Sequence, residues 1–108
     1  MNRGAEMEAI KEITPKDLEA KVEAGEELEI IDVREDDEVE NGMIEGAKHI
    51  RMNDIPGNLD QFDKEKEYIF VCHSGGRSQN VCYYLQERGY KTVNMVGGMS
   101  HWTGEIVF

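Results

Sequence analysis

Two cysteines, two prolines, one tryptophan and three histidines are all that this chain of 108 residues holds of its rarer side chains. Cysteines at 72 and 82 make no disulfide framework, and their spacing is not that of zinc ligands. No apolar run is long enough to cross a bilayer. No charged-then-apolar stretch near Met1 has the form of a signal peptide, so the cytoplasm is the expected compartment. Positive charge is also scarce: 12 Lys and Arg stand against 23 Asp and Glu, a formal net charge of −11. That balance argues against nucleic acid and against an anionic membrane as partner. The length suits one domain with a real core and is too short for two. Internal repeats and low-complexity segments are missing as well.

The acidity is unevenly spread. Residues 1–71 hold 9 Lys and Arg against 21 Asp and Glu, whereas residues 72–108 hold 3 against 2. The less acidic part opens with Cys72-His73-Ser74-Gly75-Gly76-Arg77-Ser78, directly after the apolar run Tyr68-Ile69-Phe70-Val71. The run reads as a buried strand. The residues from Ser78 read as a helix with Val81, Cys82 and Leu85 on one face. A strand, a glycine-bearing loop and a helix start form an anion-binding construction. The first helical amides have no internal partners, and the helix dipole puts partial positive charge there. Successive loop amides can converge on the same point.

A cysteine at the base of such a loop is the group whose anion would be held. A free cysteine has a pKa of about 8.5, and each unit of lowering takes about 1.4 kcal/mol. A helix end alone supplies ~0.3–1 kcal/mol, rising to ~2 kcal/mol when partly buried. A reactive thiolate at Cys72 therefore needs several loop amides as well, with the charge of Arg77 as a further source. Side chains at Gly75 or Gly76 are expected to block either the backbone angle or the approach of these amides.

Along the rest of the chain, residues 1–9 lack periodicity and read as a loose extension, with the domain spanning 10–108. Thr14-Pro15-Lys16-Asp17 is a helix start, with Thr14 as N-cap, Pro15 first and Asp17 placed as in a capping box. Leu18 and Val22 share a face, and Gly25 is a stop signal. Residues 29–33 form a short interior strand, 35–40 an acidic helical turn, and 47–50 a brief strand. Pro56 and Gly57 limit 53–59 to a single turn. The helix from Ser78 runs to Arg88 and closes on Gly89, and 92–96 form the last strand. Alternating strands and helices with short connections mean an α/β domain with a mostly parallel sheet, whose ligands sit beyond the carboxyl ends of strands.

Four segments together resemble the single-domain rhodanese family, from about Ile13 to Trp102. Asp32-Val33-Arg34 before an acidic turn is similar to the family's Asp-Val-Arg. Gly42-Met43-Ile44-Glu45-Gly46-Ala47 is similar to its Gly-His-Ile-x-Gly-Ala, with Met43 in place of histidine. Cys72 to Arg77, with four residues between, resembles the active-site loop. Gly97-Gly98-Met99-Ser100-His101-Trp102 resembles the closing Gly-Gly-x-x-x-Trp. The resemblance implies a five-stranded, mostly parallel sheet with helices on both faces. It also implies thiosulfate sulfurtransferase chemistry through a persulfide on Cys72, with thiosulfate, low-molecular-weight thiols or persulfides as reactants and no metal or organic cofactor. The amides of Ser74, Gly75, Gly76 and Arg77 would hold the outer sulfur. Related phosphatases place one more residue between cysteine and arginine, so this loop fits a single sulfur better than a phosphate.

The remaining residues have plainer readings beside these. Cys82 is core filler before it is a resolving thiol. Arg77 braces the loop or touches substrate. His73 lies exposed in the loop and tunes its charge. Asp32 and Arg34 are a structural ion pair beneath the site, and Trp102 is a core or lid residue. Two alternatives stand beside the enzyme: a carrier passing persulfide sulfur from a protein donor to a protein acceptor, and a docking module that keeps the fold without the chemistry.

Overall fold

The apolar run before Cys72 becomes β5 (Glu67–Val71), the middle strand of a five-stranded parallel sheet. A computed structural model describes residues 9–108; the expected loose extension lies outside the described residues apart from Ala9. Across the sheet the order is β1 (Lys11–Ile13), β6 (Lys91–Met95), β5, β2 (Glu29–Asp32) and β4 (Lys48–His49), each neighbour parallel. β1 is absent from the sequence reading. Its three residues, with no buried side chain, are too short and too polar to show a strand period.

The two-residue period of a strand sorts the core onto the two faces of the sheet. Tyr68, Phe70 and Cys72 join Ile31 and Val33 beneath α3 (Gly76–Gln86), where Val81, Cys82 and Leu85 are buried. Ile69 and Val71 join Ile30, Val93 and Met95 on the opposite face, against Leu18 of α1 (Pro15–Glu23). Helices therefore cover both faces. α1 starts as its sequence implies: the Asp17 amide donates to Thr14 Oγ1 at 3.1 Å, with Pro15 in the first turn.

Several elements differ from expectation. α3 begins at Gly76, so Gly76 and Arg77 belong to its first turn, and it ends at Gln86 before Gly89 at φ +92°. Residues 52–61 hold two 3₁₀ stretches, Met52–Asp54 and Pro56–Gln61, in place of one turn. Near the end of the chain, β3 (Met43–Ile44) pairs antiparallel with β7 (Ile106–Val107), a ribbon too short to leave a periodic signature. No helix among the described residues is long and apolar enough to cross a membrane.

Candidate active site

Register brings the site together. Asp32 at the end of β2 pairs with Val71 at the end of β5, and the Val33 amide donates to the Val71 carbonyl at 2.9 Å. The Asp-Val-Arg segment and Cys72 thus leave the sheet side by side, at its carboxyl edge.

Cys72 follows β5 with only 1% of its surface exposed. Its sulfur accepts hydrogen bonds from the Gly75 amide at 3.0 Å, the Ser78 amide at 3.4 Å and the Ser78 hydroxyl at 3.3 Å. Burial alone would push this thiol up. The Ser78 hydroxyl and the amides of Ser78, Gly75 and Ser74 outweigh that and leave it below the ordinary cysteine value. Gly75 caps α3 at φ +104°, and a Cβ there would stand 3.1 Å from the Gly97 nitrogen. Gly76 corrects the expected backbone demand: it lies in the first turn of α3 without a left-handed φ, and no protein atom lies within 4 Å of where its Cβ would be. The conformational demand falls on Gly75 alone.

The loop is strapped from behind. The Met99 amide donates to the Cys72 carbonyl at 2.8 Å, and the Ser100 amide to the His73 carbonyl at 2.9 Å. Gly98, at φ +62°, passes so close to these two carbonyls that any side chain would collide with them. This gives the Gly97-Gly98 segment its physical meaning.

Arg77 forms a two-pronged pair with Glu38 of α2 (Asp36–Val39), at 2.7 and 2.8 Å. The guanidinium holds the Glu38 carboxyl well below its ordinary value, at about 2. The pair with a carboxylate is the contact that the bracing role calls for. Its charge is already matched, which leaves the amides and the hydroxyl as the main donors to the sulfur. His73 and Ser74 lie exposed.

Asp32 and Arg34 form the expected buried pair. Arg34 donates through Nε and Nη2 to Asp32 at 2.8–3.1 Å, and through Nη2 to the Gly42 carbonyl at 2.8 Å. Cys82 is fully buried in the core beneath α3, and burial pushes its thiol up to about 12. Trp102 is half-buried against the α1-side core, its indole N–H donating to the Glu105 carbonyl at 3.1 Å.

Two residues at the site escape the sequence reading. Glu38 is hidden in an acidic run where nothing distinguishes it from Asp36 or Asp37. Asn94, in β6, accepts from the Ser78 hydroxyl and donates to the Gly75 carbonyl at 3.2 Å. Asparagine is depleted in strands, so one flanked by Val93 and Met95 was a readable sign of a polar task.

The family described as Rhodanese-like domain matches residues 14–105. "Putative sulfurtransferase YtwF" of Bacillus subtilis (strain 168) is 60% identical over 96 residues, spanning 89% of this chain and 93% of that protein. "Thiosulfate sulfurtransferase GlpE" of Shewanella oneidensis is 31% identical over 97 residues, spanning 89% and 95%. The crystal structure of a rhodanese-like domain protein from Staphylococcus aureus superposes with a TM-score of 0.86 at 40% identity, covering 92% of this chain and 98% of that one.

Proposed function

Since the chain belongs to the rhodanese-like domain family, we propose that it is a sulfurtransferase that carries sulfane sulfur as a persulfide on Cys72. The observation that carries this reading is the buried Cys72 sulfur, facing the amides of Gly75 and Ser78 and the Ser78 hydroxyl at the start of α3. Those donors favour the anion, and the anion is the nucleophile.

With thiosulfate as donor, the Cys72 thiolate attacks the outer sulfur. The new sulfur–sulfur bond forms as the old one breaks, and sulfite leaves with the bonding pair. The persulfide carries one negative charge, on the outer sulfur. Cyanide or a thiolate then takes that sulfur, giving thiocyanate or a new persulfide and restoring the Cys72 thiolate. Charge balances in both steps, and the sequence of two half-reactions implies ping-pong kinetics. Arg77 braces the loop through Glu38, Gly75 lets the amides converge, and Asp32 with Arg34 fixes the floor.

The test is intact mass after incubation with thiosulfate. One sulfur atom is expected on the wild-type protein and none on Cys72→Ser. Sulfur on Cys82 alone, or none on either cysteine with any sulfane donor, removes the reading. Loading from a protein persulfide but not from thiosulfate would make the chain a carrier between proteins.

A further inference from the structure

Ser78 has one hydroxyl hydrogen and three acceptors around it. Its Oγ lies 3.3 Å from the Cys72 sulfur and 3.2 Å from the Gly75 carbonyl, and closest of all to Oδ1 of Asn94. Cys72, Ser78 and Asn94 are at most 3% exposed, so the contest is chiefly among protein groups. The Asn94 amide is held in one orientation. Its Nδ2 donates to the Gly75 carbonyl at 3.2 Å. Turned over, it would set two acceptor oxygens against each other.

We propose that Asn94 is a positioning residue that contends with the Cys72 sulfur for the single hydroxyl hydrogen of Ser78, yielding it to a charged sulfur and reclaiming it from a neutral one. The inference rests on Cys72 acting as a thiolate. In the thiol form the sulfur's own hydrogen points to Ser78 Oγ, and Ser78 donates to Asn94, so every donor has an acceptor. Loss of that proton leaves only lone pairs on the sulfur. A hydrogen bond to a charged acceptor is roughly twice as strong as a neutral one, so the hydroxyl turns. Oδ1 of Asn94 then faces an oxygen lone pair at close range, which is unfavourable. Once an outer sulfur is attached, the charge moves outward and the inner sulfur becomes a weak acceptor. The hydroxyl returns to Asn94. Asn94 thus disfavours the bare thiolate relative to both the resting thiol and the loaded persulfide.

Among the described residues, the titratable groups coupled to Cys72 are Arg77 and Cys82, both on α3, while Glu38 and Glu35 act on Arg77; His73 is its neighbour in the loop. Asn94 is uncharged, so replacing it removes no charge from the site.

The test is the pH profile of iodoacetamide alkylation of Cys72 in the full chain, which needs no sulfur donor. Asn94→Ala is expected to move the midpoint down and to speed alkylation near pH 6 by roughly threefold to tenfold, the worth of one hydrogen bond. A side chain that merely braced the Gly75 turn would give the opposite sign. An unchanged or raised midpoint overturns the proposal. In a Ser78→Ala background the same replacement is expected to change nothing, and an effect of equal size there also overturns it. Should Asn94→Ala fail to fold, Asn94→Leu keeps the bulk without the acceptor and is expected to shift the profile in the same direction. The expected shift without persulfide formation would leave this inference standing and remove the sulfur-transfer reading.

Discussion

At the scale of single residues, the site is built from hydrogen-bond donors more than from charge. Arg77, the one cation in the loop, is matched by Glu38, and the sulfur depends on two amides and a hydroxyl. The Glu38 carboxyl, lowered from 4.5 to about 2, makes the pair's contribution pH-dependent. A depressed carboxyl stabilises the fold fully above its ordinary value, and that contribution fades as pH falls toward 2. Both side chains are about 30% exposed, so solvent screening holds the pair to about 1 kcal/mol or less. Glu38→Gln is therefore expected to cost about that much in urea unfolding at pH 7. The gap from wild type should shrink steadily between pH 4.5 and pH 2, and a gap independent of pH would refute the pairing argument. Cys72, Ser78 and Gly75 were legible as a site because a strand, a small-residue loop and a helix start are contiguous in sequence. Glu38 was not, since it reaches the loop only by tertiary packing, and Asn94 showed a polar residue in a strand but not the partners that packing gives it.

Among the elements, the segment Gly98–Ser100 matters as much as α3. It donates two backbone hydrogen bonds to the carbonyls of Cys72 and His73, and it can do so because Gly98 has no side chain. Gly98→Ala forces a Cβ onto both carbonyls in a left-handed conformation. The expected cost is about 1–3 kcal/mol, with slowed sulfur loading because the cysteine loop must shift. Gly76→Ala is the matched control, with open space and a helical backbone, and it should fold and load like wild type. Thermal unfolding and the mass assay check both variants. Equal behaviour of the two would show that the strap does not position the loop.

For the molecule as a whole, one sheet divides two cores, and the carboxyl edge where β2 and β5 end is held by a buried ion pair. Arg34 ties Asp32 to the Gly42 carbonyl, joining the sheet to the chain that enters β3. Removing one partner strands the other charge in a buried place, at a cost of about 3–5 kcal/mol. Arg34→Ala is expected to lower the melting temperature by more than about 10 °C. It should do so within a single transition, because both cores share the sheet. Two separate transitions, or a change of only a few degrees, would count against that coupling.

Local chemistry made much of this protein readable in advance. Runs of apolar residues, Thr14-Pro15 and the glycine-bearing loop each act on neighbours a few positions away, so composition and spacing reveal them. The parallel sheet followed from alternating elements, and its place for a ligand followed from where strands end. What stayed hidden were the polar β1, the two-residue ribbon of β3 and β7, the Glu38–Arg77 pair and the sharing of one hydrogen among Cys72, Ser78 and Asn94. Those depend on which distant segments become neighbours. That choice is made by burying two apolar faces at once, and short polar segments leave no periodic trace of it.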